Sequence, residues 1–406
     1  MVNGAGHASS GAIRAPYLRA ANIQPDGLWL GEVKSMEFAP KELQALSLRA
    51  GDLVVVEGGA GFGRSTLLRE ALSGWGFQNH IIRLRAISDA EPRFLDYCIK
   101  ASLAGGHITT LSNHATIPSL SSEKLARMLV PLPAPEEQQT IADFLDRETA
   151  KIDELLGKQD ALIELLGERR KAVVSRAVTT GLDATVPMKT SGASWLGKIP
   201  AHWSAMALKR LLQIPITDGP HETPEFLDSG VPFVSAEAIS SGEIDFAKIR
   251  GFISYGDHLR YQSKYSPRLN DIFMIKSGAT TGVVAMVKDN RVFDIWSPLA
   301  AIRCKAEIEP RYIVHFLRST EFQRGVSLFW TYGTQQNIGM KTLENLQVAV
   351  PPAGEQIALA NYLDEACAEI DEVTERATRC ISLLQERRSA LITAAVTGKI
   401  DVRGEV

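Results

Sequence analysis

Residues 168–181 read ERRKAVVSRAVTTG, and residues 386–398 read ERRSALITAAVTG. The copies stand 218 residues apart. The same offset holds without a gap upstream, where EEQQTIADFLDRETAKIDELL (136–156) is answered by GEQIALANYLDEACAEIDEVT (354–374). Over positions 137–181, 19 of the 45 residues are identical to their partners. A period this long marks two duplicated domains rather than a solenoid of short units.

Working outward, Leu125, Val130, Leu132 and Pro133 match Leu343, Val348, Val350 and Pro351. Further upstream the repeat is fainter: APYLRAANI (15–23) pairs with VPFVSAEAI (231–239), and GDLVVVEGGAGFG (51–63) with NDIFMIKSGATTG (270–282). The expected order is lobe (1–132), helix (133–182), lobe (183–350), helix and tail (351–406). One asymmetry stands out. WLGKIPAHWSAMALKRLLQIPITDGPHETPEF (195–226) precedes the second lobe and has no counterpart before the first. Either the chain begins short of it, or the first lobe does without an edge element.

The helical segments are legible from end signals and spacing. Pro135, Glu136 and Glu137 suit a helix start, where the imino nitrogen costs nothing and carboxylates face the positive end of the dipole. Thr180 and Gly181 supply a stop. Between them Leu145, Ile152, Leu166 and Val173 fall on sevenfold spacing, thickened by Leu155, Leu156, Leu162 and Ile163, with a polar break at Gln159. Leu363, Ile370, Leu384 and Leu391 repeat that seam, beside Val373, Cys380 and Ile381. Two such stripes predict an antiparallel helix pair, and about 40 residues of helix span about 60 Å. The fold class expected is α+β: two globular lobes alternating with two long helices that pair as a pseudo-twofold antiparallel coiled coil. Glu168, Arg169 and Arg170, with Glu386, Arg387 and Arg388, read either as solvated helix ends or as a docking face shared by both copies.

At 406 residues the chain is long enough for two or three domains. With 45% hydrophobic and 22% charged residues it has the composition of a soluble protein, and no apolar run approaches the ~20 residues of a membrane span. The opening MVNGAGHASSGAIRA lacks the apolar core of a signal peptide. Cys98, Cys304, Cys367 and Cys380 are scattered, which signals neither disulfides nor zinc and fits a reducing cytoplasm. The net charge of −3 is unevenly spread. The lobes carry +2 (13 basic, 11 acidic over 1–132) and +3 (18 and 15 over 189–350), and the helical segments −4 each (7 and 11, 6 and 10).

Chemistry-bearing motifs are scarce. GGAGFGRS (58–65) nearly spells a phosphate-cradling loop, but Arg64 stands where a lysine belongs, and a forked guanidinium does not replace a point charge. Its repeat partner has Ser277 for Gly58 and Val283 for Arg64, so the shared content is strand, small-residue turn, strand: a β-hairpin. The eight histidines show no metal-ligand spacing, and neither a nucleophile elbow nor a dinucleotide fingerprint is present. A binding protein without cofactor or metal is the expectation.

The ordered pair of Glu-Gln-x-x-(Ile/Leu)-Ala-x-(Phe/Tyr)-Leu-Asp stretches (from Glu137 and Glu355), each followed by a long helix bearing Glu-Arg-Arg, resembles the specificity subunit of type I restriction-modification systems. WLGKIPAHW, DGPHETPEF, PFVSAEAI and IKSGATTG also resemble that family's target-recognition domains. The resemblance implies a non-catalytic subunit in which each lobe reads half of a bipartite double-stranded DNA target. The paired helices would set the spacing and dock two methyltransferase subunits, and restriction motor-nuclease subunits would join for cleavage. Base edges are read by donors and acceptors such as Arg, Asn and Gln. Candidate DNA contacts are Arg19, Asn22, Arg64, Gln78 and Asn79 in the first lobe, and His221, Glu222, Ser235, Lys276, Thr280, Gln335, Gln336 and Asn337 in the second. Alternatives are nucleotide binding through GGAGFGRS, or a purely structural coiled-coil adaptor.

Overall fold

A computed structural model describes residues 11–25, 27–87, 89–111, 119–329, 331–332 and 336–404. It divides into two compact units. Unit one is Met1–Ala161 with Ala377–Val406, and unit two is Leu162–Arg376. Each contains strands, short helices and half of each long helix, so the protein mixes helix and strand throughout.

In unit one Asp52–Val56 is the central strand, antiparallel to Ser65–Leu67 on one side and Ile81–Arg85 on the other. Its side chains alternate. Val54 and Val56 face one apolar cluster with Leu18 and Ile23, while Leu53 and Val55 face another with Ile99 and Leu120. A strand covered on both faces needs such a continuous apolar run. A second sheet places Ile13–Leu18 between antiparallel Lys34–Phe38 and parallel Gly76–Phe77.

Unit two repeats the plan. Ile272–Ile275 lies antiparallel to Val284–Met286 and Leu299–Ile302, with Ile272 and Met274 facing one core and Phe273 and Ile275 another. Val231–Val234 sits between antiparallel Phe252–Ile253 and parallel Asp294–Ile295. Unit two also has strand pairs that have no counterpart among the described residues of unit one. Thr217–Asp218 pairs with Leu299–Ile302, and Ser204–Ala207 pairs with Gln347–Val350.

The long helices run Pro135–Thr180 and Ala353–Val396. The first has 46 residues, about 69 Å at the usual rise. It stops at Gly181, whose φ of +75° a side chain would resist. Within unit two, Val174, Ala177 and Val178 pack with Leu359, Ala360, Leu363 and Cys367. Within unit one, Ile141, Phe144 and Leu145 pack with Ile392, Ala395 and Val396. Leu155 and Val373, expected to thicken the seam, are exposed, at 45% and 39%.

Each long helix is braced to its unit in the same way. Gln138 is buried: its Oε1 accepts from Glu91 N at 2.9 Å and its Nε2 donates to Pro133 O at 2.8 Å. Gln356 does the same with Glu309 N at 3.0 Å and Pro351 O at 2.9 Å. Arg93 binds Glu91, Asp143 and Asp146, and Arg311 binds Glu309, Asn361 and Asp364. Glu91 and Glu309 cap their helices ahead of Pro92 and Pro310. This Glu-Pro-Arg repeat, at the same 218-residue offset, escaped the sequence reading, although three identical residues announced it.

Candidate nucleic-acid interface

Four chain segments converge in unit two because backbone groups pair across them. Lys276 N donates to Pro298 O at 2.8 Å, Ile338 N to Lys276 O at 2.9 Å, and Ser297 N to Pro220 O at 3.2 Å. Ser277 and Asn337 form a bridge. The loop after Asp218, the glycine-rich loop 276–282, the turn 296–298 and the segment around Asn337 therefore meet. His221, Glu222, Lys276, Thr280 and Asn337, separated by up to 116 residues (221 to 337), share this place. The backbone of Gln336 belongs to it too, while Gln335 lies outside the described residues.

Asp218 organises the cluster. Only 1% exposed, it accepts from Lys276 Nζ at 2.8 Å and from Lys264 Nζ, and His221 Nε2 approaches to 3.1 Å. Burial pushes its pKa up, but the bonds from Lys264 and Lys276 pull harder, so it stays below the ordinary carboxylate value. One buried anion thus holds several donors near the surface. Gly219 permits the tight path of the loop: a Cβ there would stand 1.8 Å from Ile295 O. Glu222 accepts from Tyr261 OH at 3.0 Å and pairs with Arg260 at 2.7 Å, and its carbonyl receives Trp296 Nε1 at 3.2 Å. Arg250 lies 5.0 Å from the Trp296 ring centroid. Arg250, Arg260 and Lys264 were missed in the sequence. Single basic residues carry no periodic signal, and tertiary contacts place them: Lys264 with Asp218, Arg260 with Glu222, and Arg250 over Trp296.

Unit one brings its segments together through equivalent bonds. Glu57 N donates to His80 O at 2.9 Å, Leu120 N to Glu57 O at 2.8 Å, and Gln78 N to Leu18 O at 2.9 Å, where unit two has Trp296 N to Val234 O at 2.9 Å. Arg19, Arg64, Gln78 and Asn79 belong to the segments gathered there, Asn79 exposed and the others half-buried. Glu57 occupies the place that Lys276 takes in unit two, and among the described residues no counterpart of Asp218 pairs with Ile81–Arg85.

Several candidates are engaged in the fold. Asn22 is buried; its Nδ2 donates to Trp29 O and Glu32 O, and its Oδ1 accepts from Arg19 N at 2.9 Å, so its hydrogen bonds hold a loop. Arg19 donates to Glu32 O at 3.2 Å. Ser235 is buried, and its hydroxyl makes no hydrogen bond to the described residues. Ser65 of the phosphate-loop-like stretch gives its hydroxyl to buried Asp96 at 2.6 Å. That loop leads into a strand, not into the helix whose amides would cradle phosphate, which corrects the nucleotide-binding alternative.

Of the six Glu-Arg-Arg residues, two are held inside the chain. Arg170 pairs with Asp371 within unit two, and Arg388 Nε approaches Asp153 Oδ1 at 3.0 Å within unit one. Arg169, Glu386 and Arg387 are exposed, and Glu168 pairs with Lys171 at 2.8 Å on the surface. Among the described residues no group of three or more His, Cys, Asp and Glu side chains could hold a metal ion, and no helix is long and apolar enough to cross a membrane.

Comparison with known proteins matches this architecture. The family model for the type I restriction modification DNA specificity domain matches twice, over residues 7–165 and 200–378. The specificity subunit of the Escherichia coli enzyme EcoBI is 24% identical over 315 residues, 76% of this chain and 65% of that protein, so the chain spans just under two thirds of it. The EcoKI specificity subunit of Escherichia coli K12 is 21% identical over 95% of this chain and 82% of its own length. Among solved structures, a chain described in work on assembly and conformational transition of the type I R-M system superimposes with a TM-score of 0.67 at 20% identity, covering 97% of this chain and 93% of that one. The HsdS subunit from Thermoanaerobacter tengcongensis gives 0.52 at 18% identity, covering 96% and 92%. These structural likenesses speak for the fold. With its two consecutive matches covering most of its length, the chain belongs to the type I restriction-modification DNA specificity family.

Proposed function

We propose that this chain is the DNA-specificity subunit of a type I restriction-modification complex in the cytoplasm, and that it has no catalytic centre of its own. Its lobes, 1–132 and 183–350, each read one half of a bipartite double-stranded target. The observation that carries this reading is the gathering, in both units, of a glycine-rich hairpin, a neighbouring turn and a polar segment by equivalent backbone bonds. In unit two Lys276, Lys264, His221 and Arg260 supply donors for phosphates and base edges, with Thr280, Gln336 and Asn337 beside them. In unit one Arg64, Gln78 and Asn79 take that part. Asn22 and Ser235 fall outside the proposed contacts.

The segments 133–182 and 351–406 pair antiparallel as a spacer. Asp153 with Arg388 in unit one, and Arg170 with Asp371 in unit two, are each a pair that an antiparallel register of the two helices would supply. Arg170 and Arg388 lock that register, and Glu168, Arg169, Glu386 and Arg387 remain to dock two methyltransferase subunits. Restriction motor-nuclease subunits join that core.

Methylome sequencing of a host expressing this chain with its methyltransferase tests the reading. A bipartite methylated motif is expected, and Lys276→Ala should relax or erase one half while sparing the other. Methylation without a bipartite motif, or an unchanged motif in the variant, overturns the assignment of the site.

A further inference from the structure

The two units differ at one position of their parallel strand pairs. In unit one Tyr17 stands in register with Gly76, and in unit two Phe233 stands in register with Asp294. A Cβ on Gly76 would lie 2.6 Å from the buried Phe38 ring, so an aromatic side chain occupies that place in unit one. In unit two the place holds a buried carboxylate. His258, also buried and carried by the helix Tyr255–Gln262, sets its Nδ1 2.6 Å from Asp294 Oδ2. The other oxygen, Asp294 Oδ1, is buried and makes no hydrogen bond to the described residues.

Asp294 lines a cavity of about 290 Å³ whose walls include Pro220, Tyr261, Tyr265 and Ile295. That volume lies at the small end of small-molecule sites, about 300–1,000 Å³. Its polarity is graded with depth. Asp294 is buried, whereas the side chains of Arg260 and Lys264, on the same lining, are 57% and 46% exposed. The two other carboxylates of the lining are engaged, Asp218 with Lys264 and Lys276, and Glu222 with Arg260 and Tyr261. One acceptor is thus left at the closed end, where an unmade hydrogen bond is costly. The complementary ligand is a small ring with an N–H at its inner end and negative charge at its outer end.

We propose that this cavity receives one base of the half-site read by unit two, extruded from the duplex. The base is adenine or cytosine, whose exocyclic amino group donates to Asp294 Oδ1. Guanine would present two adjacent donors and call for both carboxylate oxygens, one of which His258 holds, and thymine has no amino group. Arg260 and Lys264 at the mouth meet the flanking phosphates, and His258 is a positioning residue that turns Oδ1 toward the cavity. Extrusion costs unstacking and unpairing, which the contacts inside the pocket offset. With Gly76 and Phe38 in the equivalent place, unit one reads its half-site without such a pocket. The proposal rests on the assignment of DNA reading to unit two.

The full chain, assembled with its methyltransferase subunits, is titrated with duplexes carrying the motif that methylome sequencing returns. The half-site altered by Lys276→Ala is the one read by unit two. At each of its base pairs outside the methylated adenine, one strand at a time is changed to leave a mismatch. A mismatch removes pairing that extrusion must break, so binding should tighten about tenfold at the extruded adenine or cytosine and stay or weaken elsewhere. Asp294→Asn should erase that gain while the chain melts as before. A second measurement needs no variant: 8-azidoadenine or 5-iodocytosine at that position should photo-crosslink the wild-type chain within residues 218–222 or 260–265. A missing bipartite motif would sink the DNA reading itself. With the motif intact, this proposal alone is overturned by any of four results: no mismatch that tightens binding, a gain that persists in folded Asp294→Asn, a crosslink to other segments or subunits, or saturable binding of free dAMP or dCMP without any mismatch effect.

Discussion

Unit one and unit two build the same frame and dress it differently. Both hold their glycine-rich hairpin with a bond from its first residue to a neighbouring turn, and both brace their long helix with a buried glutamine and an Arg–carboxylate clasp. Where unit two sets Lys276 over buried Asp218, unit one has Glu57 and, among the described residues, no carboxylate in the place of Asp218. Where His315 donates to Asp364 at 2.8 Å, Tyr97 donates to Asp146 at 2.7 Å. The shared bonds run between backbone and a few fixed side chains, so they survive divergence. The side chains presented at the surface are free to change, which is what two different half-sites would demand.

The comparison can be broken at several points, and Gly219→Ala should do most. Its Cβ would collide with the Ile295 carbonyl, costing unit two about 3 kcal/mol. Gly59→Ala in unit one has open space and should cost only the penalty of its positive φ, about 1 kcal/mol. Urea midpoints, with hydrogen exchange to locate the loss, separate the two; equal costs would mean that the loop after Asp218 is not built as described. Gln138→Ala and Gln356→Ala should each cost about 2 kcal/mol, since both leave buried backbone groups without partners. A gap between them well above about 0.5 kcal/mol would show that the frames are not equivalent.

Lys276→Met removes one of the cations bound by Asp218 and should cost about 1.5 kcal/mol, whereas Glu57→Gln, which keeps an oxygen for the long 3.5 Å bond from Ser119, should be near neutral. Thermal melts of both variants check this. The smallest effect is a pH difference. Burial lowers the His315 pKa from 6.5, outweighing the opposite pull of Asp364. A folded value below the unfolded one means that the neutral imidazole contributes stability present above 6.5 and lost as pH falls through the lowered value. His315→Tyr, copying unit one, should flatten that part of the melting profile below pH 6.5; an unchanged slope would assign the acid sensitivity to other groups.

Much of the frame was legible because its signals are local or repeated. The sevenfold seam, Pro135, Gly181 and the constant offset gave the helices, and comparing the two glycine-rich stretches gave a hairpin where one copy alone suggested a phosphate loop. The candidate site was legible only in part. His221, Lys276, Thr280 and Asn337 do come together, but Asn22 and Ser235 turned inward, and Arg250, Arg260 and Lys264 went unnoticed. Nothing in a polar residue's neighbours along the chain says whether it will brace a loop or face a ligand.

By itself the sequence determined the duplication, the two long helices and the strand-turn-strand hairpins, because periodicity and repetition act over a few residues or are copied whole. Tertiary structure alone decided that Arg170 and Arg388 are held by Asp371 and Asp153, that Asp218 gathers Lys264, Lys276 and His221, and that Leu129 and Leu132 stay exposed. Those outcomes depend on which groups stand opposite one another after folding, at separations of 3 to 235 residues, and a charge's partner fixes its role more than its own identity does.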